Sequence, residues 1–224
     1  MTTLANMELV IPVVFEDEAC LVVNKPAGLA VQNDGQQTSL LQILKHPFEP
    51  VHRLDQRVSG LLLLAKTAEV QTALSRAFQD RQIQKQYKAV VGQQPATKEA
   101  MLEHWLRKKG EQQKAQVFKQ AVAHAKQAKL HYRLIQSTNR YHLLDVQLHT
   151  GLFHQIRAQL AAIGCPIVGD LKYGFPRSSP DGSIFLQAYK LSFTHPITKE
   201  PMAFDIPIPE IWKKYGFSDD TMIE

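Results

Sequence analysis

The sequence predicts an α+β fold organised around one large, mainly antiparallel β-sheet. Three observations carry that expectation. Short runs rich in β-branched residues outnumber the stretches with helical periodicity. Many strands with few helices make a sheet protein of the α+β class. Several of the runs are joined by short polar turns that suit hairpins. No internal repeat, low-complexity segment or linker interrupts the 224 residues, so one domain over 1–224 is expected.

The elements follow in order. Residues 9–33 read as two β-branched strands around a turn at Glu16-Asp17-Glu18-Ala19. Lys25-Pro26-Ala27-Gly28 closes the second strand: the proline ends pairing and the glycine permits a tight bend. Residues 38–44 are helix-like, with Thr38 or Ser39 as the cap. Pro47 and Pro50 break the chain, so the segment from His52 forms a loop feeding a strand at Leu61-Leu62-Leu63-Leu64-Ala65. Thr67 caps a helix over 68–81, whose Val70, Ala73, Leu74, Ala77 and Phe78 share one face. Residues 84–91 alternate as a strand. Residues 99–106 and 116–123 form a hairpin that turns at Lys108-Lys109-Gly110-Glu111. Residues 130–136 and 141–148 form another around Ser137-Thr138-Asn139-Arg140. Phe153, Ile156, Leu160 and Ile163 mark the inner face of a helix over 153–163, stopped by Gly164 ahead of Cys165-Pro166. A glycine- and proline-rich loop at 173–182 leads to closing strands near 184–193 and 202–206.

Apolar residues make up 44% and charged residues 21%, an ordinary balance for a globular chain with a sizeable core. The apolar runs fall well short of the ~20 residues a membrane helix needs. The N-terminus lacks the basic-then-apolar pattern of a signal peptide. A cytoplasmic location with no membrane partner is therefore expected. Cys20 and Cys165 form no Cys-x-x-Cys pair and read as small buried residues of a reducing compartment. The histidines are scattered without metal-ligand spacing, so no metal is expected. Net charge is +5 and the pI about 9.1, a balance that favours polyanionic partners. Arg107, Lys108, Lys109, Lys114, Lys119, Lys126, Lys129 and Arg133 concentrate positive charge, offset within that stretch only by Glu111. Such a run is either a solvated face or a phosphate-contacting stripe.

One segment carries more chemistry than the rest. His52-Arg53-Leu54-Asp55-Gln56-Arg57-Val58-Ser59-Gly60 sets one acid between two arginines at the mouth of the apolar run 61–65. A carboxylate there sits where water thins out and cations are near, so its ionised form can persist. A plain salt bridge and a single catalytic aspartate both fit that pattern.

This segment resembles the His-Arg-Leu-Asp motif of the RluA-type pseudouridine synthases. Three further segments resemble the same family in the expected order. Residues 11–18 lead into Leu21-Val22-Val23-Asn24-Lys25-Pro26-Ala27-Gly28, similar to its opening strands and Lys-Pro-x-Gly turn. Lys85-Gln86-Tyr87-Lys88-Ala89-Val90-Val91-Gly92 is similar to its Lys-x-Tyr-x-Ala-x-Val-x-Gly strand. Thr150-Gly151-Leu152-Phe153-His154-Gln155-Ile156-Arg157, running on to Gly169-Asp170 and Tyr173-Gly174, is similar to its His-Gln-Ile-Arg block. Four motifs in one order are hard to obtain by chance. The resemblance covers residues 9–210, taken as the core of the domain.

The resemblance implies a mixed, mainly antiparallel sheet flanked by helices, with a central cleft. It implies an RNA pseudouridine synthase that flips a uridine out of its stack and isomerises it with one carboxylate and no cofactor. Asp55 is then the carboxylate, as nucleophile or as base, and Arg157 the facing guanidinium that favours its charge. Tyr87 is the ring expected to stack on the uracil. Arg53 is expected to enter the gap left in the RNA. His52, Leu54 and Ile156 are expected around the substrate, and Lys108 and Lys109 on its phosphates. Ribosomal or transfer RNA is the expected partner of a monomer. Only about eight residues precede the first strand, so the small RNA-binding domain that many relatives carry is expected to be absent.

Two positions depart from the family pattern. Val58 stands where a threonine is usual and removes one hydroxyl. Leu152 stands where an arginine is usual and removes a charge and several donors. A catalytically impaired RNA-binding protein is the alternative that Leu152 suggests. A glycosidase-like hydrolase would want two cooperating carboxylates, and the motifs single out Asp55 alone.

Overall fold

Eleven strands pair into one sheet in a computed structural model that describes residues 9–33, 38–45, 47–110 and 113–219. The elements run β1 Val13–Glu16, β2 Cys20–Lys25, α1 Leu40–Leu44, β3 Glu49–Pro50, β4 Ser59–Ala65, α2 Ala68–Gln79, β5 Gln84–Val91, β6 Glu99–Lys109, β7 Lys114–Phe118, β8 Lys126–Ser137, β9 His142–Leu148, α3 Gln155–Ala162, β10 Leu186–Thr194, β11 Pro201–Asp205 and α4 Glu210–Lys213. The main path of the sheet is β1-β2-β4-β10-β5-β9-β8-β6-β7, with β11 joined to β10 and β3 to β4. Every pairing is antiparallel except that of β4 with β10. The sheet is thus mixed and mainly antiparallel, as expected.

That one parallel pairing decides where the chemistry sits. Ala188 of β10 lies opposite Gly60 of β4 on one side and Tyr87 of β5 on the other. The loop that precedes β4 and the Tyr87 ring are therefore brought to one place. Gly60 adopts φ +121°, and a Cβ there would fall 2.3 Å from the Ala188 carbonyl oxygen. Only glycine lets the two strands approach so closely. Gly60→Ala is expected to lower stability by roughly 2–3 kcal/mol, read as a drop in the thermal midpoint.

The apolar run 61–65 becomes a central strand buried on both faces. Leu62 and Leu64 join the main core, while Leu61 and Leu63 join a second cluster with Val70 and Leu74 of α2. Both predicted caps form. Ser39 and Gln42 make a capping box at α1, and Thr67 Oγ1 accepts the Val70 N–H at α2.

Three local expectations need correction. Lys108 and Lys109 extend β6 instead of turning, and β7 begins at Lys114; Glu111 lies outside the described residues. The helix α3 begins at Gln155, leaving Phe153 and His154 in the turn before it. The basic stretch is also offset from neighbouring strands. Lys129 pairs with Glu103 at 2.6 Å, and Arg133 stands in register with Glu99 and Asp145. Cross-strand partners are invisible to a count along the chain.

Asp17, Cys20 and His195 approach one another closely enough to suggest a metal site. The hydrogen bonding favours a clasp. His195 Nδ1 accepts the N–H groups of Ile197 and Thr198, which leaves the ring hydrogen on Nε2, an atom 2.8 Å from Asp17 Oδ2. A nitrogen that carries its hydrogen has no lone pair for an ion.

Candidate active site

The loop from His52 to Val58 is held from below by a buried lysine. Lys25 Nζ donates to the carbonyls of Pro26 (2.9 Å), Leu29 (2.8 Å) and Gln56 (3.3 Å). Burial pulls this amine down to about 7 against the opposing attraction of Asp55. Three carbonyl acceptors are what the three hydrogens of an ammonium require. The Gly28 N–H also donates to Gln56 O (2.8 Å), tying the Lys-Pro-x-Gly turn to the loop. Arg57 fastens the far side, donating to the carbonyls of Gly182 (2.6 Å), Gly169 (2.9 Å) and Ser183 (3.2 Å). It is a staple and not, as the local charge pattern suggested, a partner for Asp55. Arg53 is exposed.

The partner comes from α3. Arg157 Nη1 donates to Asp55 Oδ2 at 2.7 Å across a separation of 102 residues. Its Nε and Nη2 grip Asp170 Oδ2 and Oδ1 at 2.7 and 2.9 Å. Burial alone would pull the guanidinium down; Asp170 first, then Asp55, outweigh it, so Arg157 is held above its ordinary value. Asp170 is fully buried, whereas the Asp55 side chain keeps 27% of its surface open. One planar guanidinium thus bridges an interior carboxylate and a cleft carboxylate. Both contacts to Asp55 use Oδ2, and Oδ1 has no protein partner among the described residues. Asp170 follows the His-Gln-Ile-Arg block in the sequence, and its residue type alone does not disclose this role. Locked bidentately behind Arg157, it is not a second acid facing a substrate. The helix is buried all round over 155–160, polar residues included, and that burial aims the arginine inward.

The other predicted residues divide. Tyr87, Leu54 and Ile156 are buried and line an inner pocket with Asp55, Arg157 and Arg53. Burial, and then the charge of Asp55, push the Tyr87 phenol upward, so it keeps its proton. His52 and Lys108 line the wider cleft of about 710 Å³ that continues from this pocket. His52 Nε2 accepts the Leu63 N–H at 3.2 Å, a structural role, and burial holds the ring well below its ordinary value. Lys108 stands over the Phe153 ring at 4.8 Å. Lys109 is exposed and lines neither space.

Residues that sequence reasoning missed complete the cleft. Lys85 lines it beside Tyr87, its ammonium 5.9 Å from that ring, and burial pulls it down to about 8. Its signal was the alternation of β5, which sends residues 85, 87 and 89 to one face. Lys172 adds a further cation at the rim. His154 approaches Asp55 Oδ2 with Nε2 at 3.4 Å. Burial dominates its environment and holds the imidazole down to about 4. The unfolded chain takes up that proton near 6.5, whereas the folded protein resists it until about 4. Stability is therefore expected to fall as pH drops from 6.5 toward 4. Urea midpoints at pH 7 and pH 5 check this, and His154→Gln should flatten the difference.

Comparison with known proteins gives these residues a lineage. Residues 19–162 match the family model described as RNA pseudouridylate synthase. A ribosomal large subunit pseudouridine synthase D from Nitrosomonas europaea is 32% identical over 88% of this chain, which spans 62% of that protein. An uncharacterized RNA pseudouridine synthase from Aquifex aeolicus is 33% identical over 91% of this chain, which spans 71% of it. The solved structure of human RNA Pseudouridylate Synthase Domain Containing 1 shares the fold, with a TM-score of 0.78 and 21% identity over 97% of this chain and 91% of that one. With more than half of its residues matching the family model and relatives above 30% identity along most of its length, the chain belongs to the RNA pseudouridylate synthase family.

Proposed function

We propose that the protein isomerises uridine to pseudouridine in RNA, with Asp55 as the reacting carboxylate. The observation that carries this reading is the Asp55–Arg157 pair, which lines one pocket with Tyr87 and leaves Oδ1 without a protein partner among the described residues. The reaction breaks a glycosidic bond and rejoins the base through carbon. It calls for no redox step, phosphate activation or metal. Asp55 Oδ1 acts on the sugar, as nucleophile at the anomeric carbon or as base on the neighbouring proton. Arg157 fixes the other oxygen and so sets the direction of the first. Tyr87 stacks on the extruded uracil, a contact worth about 1–3 kcal/mol. Leu54 and Ile156 close the pocket against water. Arg53 enters the gap in the RNA, Lys108 and Lys172 meet phosphates at the cleft mouth, and Lys85 stands deeper, beside Tyr87.

The ribosomal large subunit named in several relatives supports large-subunit ribosomal RNA as the substrate, with the reaction in the cytoplasm. Pseudouridine mapping of ribosomal and transfer RNA from a deletion strain tests this. A ribosomal site lost on deletion and restored by purified protein is the expected result. Loss confined to transfer RNA would move the substrate, and no lost site would sink the activity. Leu152 does not favour the impaired binder. Its side chain packs against the cluster of Leu106, Ala115, Ala128, Ala158 and Tyr173, and the Asp55–Arg157 pair forms without an arginine there. Val58 likewise sits in the main core, 2% exposed.

A further inference from the structure

Arg157 is not the only group aimed at Asp55. His154 stands in the left-handed region at φ 53°, a conformation that costs energy for a residue with a side chain. Gln155 holds that turn: its Oε1 accepts the Leu152 N–H (3.0 Å) and the Thr150 hydroxyl (2.8 Å), and its Nε2 donates to Lys129 O (3.1 Å). The imidazole that results is 8% exposed, with the Phe153 ring stacked on it at 3.8 Å and Tyr173 edge-on at 5.6 Å.

The contacts along this line favour one tautomer. The Ala115 N–H of β7 donates to the Tyr173 hydroxyl oxygen at 2.7 Å. His154 Nδ1 lies 3.0 Å from the same oxygen. With its oxygen already accepting from Ala115, Tyr173 is free to donate its own hydrogen to Nδ1, which leaves the ring's hydrogen on Nε2. That N–H faces Asp55 Oδ2 at 3.4 Å. The opposite tautomer would set a nitrogen lone pair against a carboxylate oxygen. The ring is neutral at physiological pH because burial holds it down to about 4. A separation of 3.4 Å is long for a hydrogen bond, and such contacts commonly tighten when substrate binds.

We infer that His154 is a positioning residue for Asp55, set in its Nε2–H form by the Tyr173 hydroxyl, which ties the carboxylate to the basic β6–β7 hairpin. The inference rests on the reading of Asp55 as the reacting carboxylate. The hairpin carries Lys108 over Phe153 and Lys114 over Tyr173 at 5.1 Å, and Lys172 Nζ donates to Gln113 O at its turn. RNA phosphates drawn to those lysines would press the hairpin onto Tyr173. Substrate docking and carboxylate orientation then share one line of contacts, hydrogen-bonded from Ala115 through Tyr173 to His154 and closed by the approach to Asp55.

Two measurements test this. Histidine-labelled, RNA-free protein should show the Nε2–H tautomer of His154 by nitrogen and carbon chemical shifts at pH 7, and Tyr173→Phe should shift the ring to a mixture. Single-turnover rates should fall about tenfold or more in Tyr173→Phe and His154→Ala, with RNA affinity unchanged. His154→Gln, whose amide can donate to Asp55, should recover much of the loss. A merely structural residue would move the unfolding midpoint without that split or that rescue. An Nδ1–H tautomer in the wild-type protein, or wild-type rates in both variants, would overturn the inference. A wild-type protein that forms no pseudouridine sinks the functional reading instead; the tautomer, read without RNA, then decides the positioning claim by itself.

Discussion

Asp55→Asn is expected to lower the rate of pseudouridine formation by roughly 10²–10⁴-fold, while RNA affinity stays nearly unchanged. The substitution keeps the size of the side chain and removes its charge and one acceptor. Folding tolerates the change because Arg157 retains its two bonds to Asp170. Asp55 is also partly open to solvent, where an ion pair contributes about 0–1 kcal/mol. Chemistry and stability are thereby separated at one position. Pseudouridine yield under single-turnover conditions, read beside filter binding and thermal unfolding, measures all three quantities. Wild-type rates in this variant would remove Asp55 from the reaction.

Arg157→Ala is expected to act on both the fold and the reaction. Asp170 would be left buried with no cation, and breaking such a pair costs about 3–5 kcal/mol. In a domain of this size that corresponds to a thermal midpoint lower by about 6–20 °C. Asp55 would lose the bond that orients Oδ2, so the surviving folded fraction should also turn over slowly. Removing both partners, Arg157→Ala with Asp170→Ala, should recover part of the stability but none of the activity. Arg157→Lys keeps the charge yet offers no planar fork for two carboxylates, so it should fold better than alanine and still react poorly. An unchanged midpoint in Arg157→Ala would show that the Asp170 contact is not what braces the helix.

Most of the fold was legible because periodicity is local. The alternation of residues 84–91, the Thr67 cap and the double-sided burial of 61–65 all follow from neighbouring residues alone. What was not legible is what depends on distant strands. The parallel register of Gly60 with Ala188, the carbonyl staple made by Arg57, and the neutralisation of Lys129 by Glu103 have no trace within a short window. The Asp55–Arg157 pair was read from the resemblance; composition and spacing could not have joined residues 102 apart. Asp170, His154 and Tyr173 all lie within the segment 150–174 that resembles the family. Their roles became visible only with the direction of each donor, because a motif names residue types without saying which atom faces which. Lys109 shows the converse: a lysine in a basic run, adjacent to one at the cleft, points elsewhere because side chains alternate along β6.

The most direct test is the structure of the protein bound to a substrate RNA carrying 5-fluorouridine at the target position. The predicted result is a uridine turned out of its stack, its ring on Tyr87, with the sugar's anomeric carbon about 3–3.5 Å from Asp55 Oδ1 and Arg157 still on Oδ2. A uridine left stacked in the RNA, or bound along the basic hairpin with Asp55 facing only water, would contradict it.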